Sequence, residues 1–84
     1  MIEVKMDKKP PQDGLDIYDF TVRVGALLFK SQMQLGSDLN IPTDAVERMA
    51  AEKIRMDLAE YSEELQSASK LSTVTKTSTG FNIS

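Results

Sequence analysis

Residues 16–36 read DIYDFTVRVGALLFKSQMQLG, and at about 100° per residue they divide into stripes around a helix. Asp16, Asp19, Arg23, Lys30 and Gln34 make a thin polar seam. Ile17, Phe20, Val24, Leu27, Leu28 and Leu35 lie on one side of it, and Tyr18, Val22, Ala26, Phe29 and Met33 on the other. Thr21, Gly25 and Gln32 separate the two apolar flanks at the back. The pattern predicts a helix over residues 15–36, opened by the acids at Asp13 or Asp16 and closed by Gly36 at the left-handed position beyond its end.

A second helix is predicted over 43–69. Thr43 is placed as its cap, Asp44 and Glu47 in its first turn, and Ile41 as the residue stapled from just outside. Its main apolar face is Val46, Ala50, Ile54, Leu58, Tyr61, Leu65 and Ala68, with Met49 and Met56 as a minor patch. The short link at 37–42 makes the two helices an antiparallel hairpin.

Outside the helices, Ile2, Val4 and Met6 alternate with Glu3 and Lys5, the period of a short strand over 1–6. Residues 7–14 contain Pro10 and Pro11 and read as a break. From Ser67 onward the composition shifts to serine and threonine, and residues 70–84 form a segment of their own. It reads either as a β-hairpin, with Phe81 and Ile83 returning beside Val74 and the pair joining the first strand, or as a flexible tail.

The expected fold is therefore mainly α: one small domain over 1–84, a two-helix hairpin with terminal strands that oligomerises into a helical bundle. A small α+β monomer, with the strands folded over the second flank, is the alternative. One helix covers only one flank of residues 15–36, so Tyr18, Val22, Gly25, Ala26, Phe29 and Met33 are the expected interface. Gly25 is read there as the site of close backbone approach, because a mid-helix glycine costs about 1 kcal/mol. On this reading Val22→Asp or Phe29→Asp breaks the oligomer.

Composition narrows the chemistry. The 84 residues carry a net charge of −3, with no cysteine and no histidine. Disulfides, thiolate nucleophiles and the commonest metal ligand and general base are thereby excluded. The basic residues are scattered, which argues against nucleic acid as a partner. The longest apolar run, residues 25–29, is far short of a membrane span, and a cytoplasmic protein is expected.

No catalytic or phosphate-loop motif is present, and neither cofactor nor metal is expected. Asp57, Glu60 and Glu64 form an acidic stripe that could serve a carboxylate-dependent hydrolase, yet such a stripe is more often a solvated face. Tyr18, Arg23, Lys30 and Asp57 are the candidate contacts for a small anion such as a nucleotide phosphate. Their structural reading is ion pairing, Asp19 with Arg23 along the helix and Asp57 with Arg23 or Lys30. The function expected is that of a non-enzymatic, self-associating interaction protein: an inhibitor, an adaptor, or an accessory factor of the phage or mobile-element kind. The alternative is an oligomer that sequesters or senses a small anion.

Overall fold

A computed structural model describes residues 1–61 and 65–84, and it replaces the helical hairpin with a sheet. Three successive antiparallel strands, β1 (Ile2–Gln12), β2 (Leu15–Val24) and β3 (Leu27–Gly36), precede a single long helix, α1 (Thr43–Tyr61). β4 (Val74–Lys76) and β5 (Gly80–Ile83) follow it. The five strands form one sheet in the order β3-β2-β1-β5-β4.

The region expected as helix 1 is thus two strands and a turn, and the physical reason is its second periodicity. Tyr18, Phe20, Val22 and Val24 alternate with Asp19, Thr21 and Arg23, and Leu27, Phe29, Met33 and Leu35 alternate with Leu28, Lys30, Gln32 and Gln34. Cross-strand partners face the same way, so the register Tyr18↔Met33, Val22↔Phe29 and Val24↔Leu27 gathers the apolar series on one side. The turns fix this arrangement. Asp13 and Gly14 have φ of 53° and 77°, both left-handed, as a type I′ hairpin turn requires. Gly25, at φ 58°, holds the first position of the next two-residue turn, where type II′ geometry favours glycine. A Cβ on Gly25 would meet nothing within 4 Å. Its glycine serves the backbone angle, and no other part of the described chain packs against it.

Pro10 and Pro11 do not break β1. The register with β2 shifts between Lys9 and Gln12, and β5 reaches along β1 only to Lys5. Next to it, the Met6 N–H donates to the Thr79 carbonyl at 3.0 Å. The prolines therefore lie at a bulge on an open edge, where a missing N–H costs no ladder bond.

At the C-terminal end the hairpin reading of 70–84 is the one the chain adopts: Val74 pairs with Ile83, and β5 lies against β1 with Ile2↔Ile83 and Val4↔Phe81. The sheet joins the two ends of the described chain. Gly80 is required there, because a Cβ would collide with the β1 backbone at Val4 and Met6.

α1 covers one face of the sheet. Val46, Ala50, Ala51, Ile54 and Leu58 are buried against Ile2, Val4, Tyr18, Phe20, Val22, Phe81 and Ile83. Phe20 and Phe81 meet edge to face at 6.5 Å, tying β2 to β5 above β1. The helix is shorter than the 43–69 expected. It starts where the Pro42 carbonyl accepts from the Ala45 and Val46 amides, so Thr43 lies inside its first turn. Residues 62–64 lie outside the described part, and Ala68–Lys70 form a short 3-10 turn. Among the described residues one long helix lies on a sheet and leaves no helical hairpin from which to build a bundle, and the apolar surplus of residues 15–36 is met largely by α1. No helix among the described residues is long and apolar enough to cross a membrane.

Candidate functional site

The sheet has two end strands, and they are unlike each other. β4 is three residues long and carries Lys76. β3 is ten residues long, keeps an unbroken register with β2, and contains no proline, no acid and one charge, Lys30. The half of β1 that β5 leaves uncovered, residues 7–12, carries Asp7, Lys8, Lys9, both prolines and a bulge. Lysines, prolines, bulges and short length are the devices that keep open edges from pairing with other chains. They are present at the other two edges, and on β3 they are reduced to Lys30 alone.

The turn at Gly25–Ala26 sets which β3 groups are free. In a two-residue hairpin the flanking residues, Val24 and Leu27, form a hydrogen-bonded pair, and the bonding alternates from there. Phe29, Ser31, Met33 and Leu35 consequently bond inward to β2. The parity holds beyond the strand end, where the Ser37 N–H donates to the Gly14 carbonyl at 2.9 Å. The backbone N–H and C=O groups of Leu28, Lys30, Gln32 and Gln34 point outward as an open ladder.

Beside this ladder, on the helix side, Leu27, Phe29, Met33 and Leu35 are only half-buried. α1 adds apolar surface next to them. The Tyr61 ring stacks on Phe29 at 6.3 Å and remains 63 % exposed. The Lys53 ammonium donates to the Ser31 hydroxyl at 2.8 Å, which identifies the stripe of α1 that faces β3. Met49 and Met56, four before and three after Lys53 on that stripe, are exposed.

The residues expected as an interface are therefore divided. Tyr18 and Val22 are buried in the core, Gly25 and Ala26 are exposed at a hairpin tip, and Phe29 and Met33 lie half-buried on the β3 edge. Sequence reasoning missed Leu28, Ser31, Gln32 and Gln34 because it placed them on a helix. The signal that finds them is the alternation of β3 together with its near-absence of charge.

The expected anion site is also divided. Arg23 and Lys30 share the open face of the sheet, and Lys5 joins them through the row Lys5↔Thr21↔Lys30. Tyr18 is on the opposite face, beneath the Lys8 ammonium at 5.7 Å from the ring centroid. Asp57 is on α1 and pairs with Lys53 at 3.3 Å, not with Arg23 or Lys30. Asp19 takes a hydrogen bond from Gln32 at 2.9 Å and an ion pair from Lys9 at 3.9 Å, so the Asp19–Arg23 helical pair does not form. The Lys9 ammonium is held above the ordinary lysine value, first by its hydrogen bond to Asp7 and then by the charges of Asp7 and Asp19. Of the acidic stripe, Glu64 lies outside the described residues. Among the described residues no three carboxylates are placed to hold a metal ion.

A cleft of about 690 Å3 separates α1 from β4, lined among others by Glu47, Arg55, Ser72 and Lys76. Glu47 is 4 % exposed and faces the Lys76 ammonium at 3.6 Å. Arg55 donates from Nη2 to Glu52 at 2.6 Å, while its buried Nη1 has no hydrogen-bond partner among the described residues. The cleft alternates acids and bases and presents no single charge to a ligand. The chain matches no protein-family model, no curated protein and no solved structure.

Proposed function

We propose that this is a non-enzymatic interaction protein that works by accepting an extended strand of a protein partner at β3. The observation that carries the reading is the contrast between its edges: ten residues of nearly unguarded ladder at β3, against lysines, prolines or short length at the other two. Strand addition takes its affinity from main-chain hydrogen bonds and its selectivity from alternate side chains. β3 offers both, through the outward groups of Leu28, Lys30, Gln32 and Gln34 and the half-buried row beside them. The cytoplasmic setting expected from the sequence belongs to this proposal.

Amide hydrogen exchange on the isotope-labelled protein tests it, with the synthetic decapeptide LLFKSQMQLG in excess as the added strand. With the protein dilute enough to be monomeric, the amides of Leu28, Lys30, Gln32 and Gln34 should gain protection, while those of Phe29, Ser31 and Met33, already bonded to β2, should change little. Free exchange at all four outward amides under saturating peptide would refute the proposal.

A further inference from the structure

Resting on that reading, we infer that the strand accepted at β3 is β3 of a second copy of this chain, paired antiparallel about a two-fold axis through Ser31. The sequence of β3, LLFKSQMQLG, is self-complementary in this register. With Ser31 on the axis, the helix-side row sets Phe29 against the second copy's Met33 and Leu27 against its Leu35, so apolar meets apolar at each step. On the open face Lys30 meets Gln32, and Leu28 meets Gln34. All four outward residues then exchange both backbone bonds, about eight hydrogen bonds across the axis.

Neighbouring registers fit less well. An axis through Lys30 places two ammonium groups directly opposite each other, which is unfavourable in a cross-strand pair. An axis through Gln32 sets Met33 against Ser31. Axes further along shorten the ladder.

Charge bears on this axis in two ways: the axis brings the Lys53 ammonium groups bonded to each Ser31 toward each other, each with Asp57 at 3.3 Å as counter-charge, and it gives Lys30 a partner. Lys30 has no ion-pair partner among the described residues of one copy. Opposite the second copy's Gln32 it lies one strand from that copy's Asp19, since Gln32 and Asp19 are partners within each sheet. The exposed apolar side chains of α1 on the β3 side, Met49, Met56 and Tyr61, then flank a groove shared by both copies.

Ser31 on the axis is a non-hydrogen-bonded pair with Cα atoms about 4.5 Å apart, inside the roughly 4.4–6.8 Å span that a disulfide bridges. The chain has no cysteine of its own, so one substitution reads out the register. Ser31→Cys should form a covalent dimer under mild oxidation at least ten times faster than Gln32→Cys. The reverse order overturns the register.

Sedimentation equilibrium on the unmodified chain should give twice the chain mass. Leu28→Lys with Gln34→Lys, both at exposed positions, sets lysines opposite one another in two symmetric pairs. It should weaken the dimer about tenfold, which is about 1.4 kcal/mol over the two pairs, with an unchanged circular dichroism spectrum. A monomer at every concentration, with no Ser31→Cys dimer, overturns the second copy as occupant, while peptide protection at the four outward amides would still leave the strand-accepting reading standing. A dimer untouched by the paired lysines is held by another surface and likewise overturns the second copy as the occupant of β3, while the peptide experiment alone decides the strand-accepting reading.

Discussion

The contact between Phe20 and Phe81 gives the sharpest test of the core packing, because it joins strands from opposite halves of the chain. The rings are both about fully buried, at 1 % and 0 % exposure, and meet edge to face at 6.5 Å and 71°. Replacing either with leucine removes three carbons net and leaves a small void, a loss of about 1–2.5 kcal/mol each. The edge-to-face contact itself contributes about 0.5–1.5 kcal/mol beyond area. Whichever leucine enters first removes that contact. The double variant should therefore be less destabilised than the sum of the singles by about that amount. An 84-residue chain has a total stability of roughly 4–13 kcal/mol, and in the upper part of that range the singles and the double all remain folded enough to titrate. The assay is guanidinium unfolding followed by far-UV circular dichroism, with four chains measured in parallel. Strictly additive losses would refute the contact between the two rings. Small losses in both singles would refute their burial.

Other substitutions probe the turns and the helix face. Gly25→Ala forces a side chain into positive φ and should cost about 1–2 kcal/mol, lowering Tm by about 4–8 °C per kcal/mol; no change would mean that the turn is not as described. Gly80→Ala drives a Cβ into the β1 backbone and should cost about 2 kcal/mol or more, with the exchange of the Met6 amide accelerated as β5 lifts. Leu58→Ala, at a fully buried position of α1, should cost about 2–5 kcal/mol. Met56→Ala, two residues away and 59 % exposed, should stay within about 0.5 kcal/mol, and equal losses at the two positions would show that α1 buries a different face.

Much of the fold was present in the sequence in a form that two periods can share. When about half the positions in a segment are apolar, stripes at 100° and alternation at 180° both find matches. The residues that decide between them are the punctuation. Asp13–Gly14 is a strong two-residue hairpin signal between alternating runs, yet the same aspartate also serves as a helix opener. Gly25–Ala26 lies where Tyr18, Phe20, Val22 and Val24 end one alternation and Leu27, Phe29, Met33 and Leu35 begin another. As a helix residue Gly25 needs an external reason, and as the first residue of a two-residue hairpin turn it needs none.

Pro10–Pro11 misleads in the opposite sense. A strand tolerates prolines at a bulge on an open edge, and which edge is open depends on how far β5 reaches, a long-range fact that local sequence does not carry. The same holds for β5 lying on β1. At the candidate site, Phe29 and Met33 were legible as incompletely covered, but the reason was not a second flank of a helix. It was their place on the last strand of a sheet that one helix spans only in part.

Under the proposed pairing the asymmetry of the edges has a consequence for assembly. A sheet with two equal sticky edges would add copies head to tail without limit, since heterologous contacts that do not close give filaments. Here β3 can be satisfied by β3 alone. β4 offers three residues and the Lys76 ammonium, and Lys8, Lys9 and the prolines guard the uncovered part of β1. A contact between β3 and β4 would leave most of the β3 ladder and its half-buried row open. A two-fold contact uses the whole strand at once and presents only guarded edges to the outside. An edge that would be an aggregation hazard in isolation becomes finite when its best partner is itself, and it is the guards on the other edges that make the assembly stop at two.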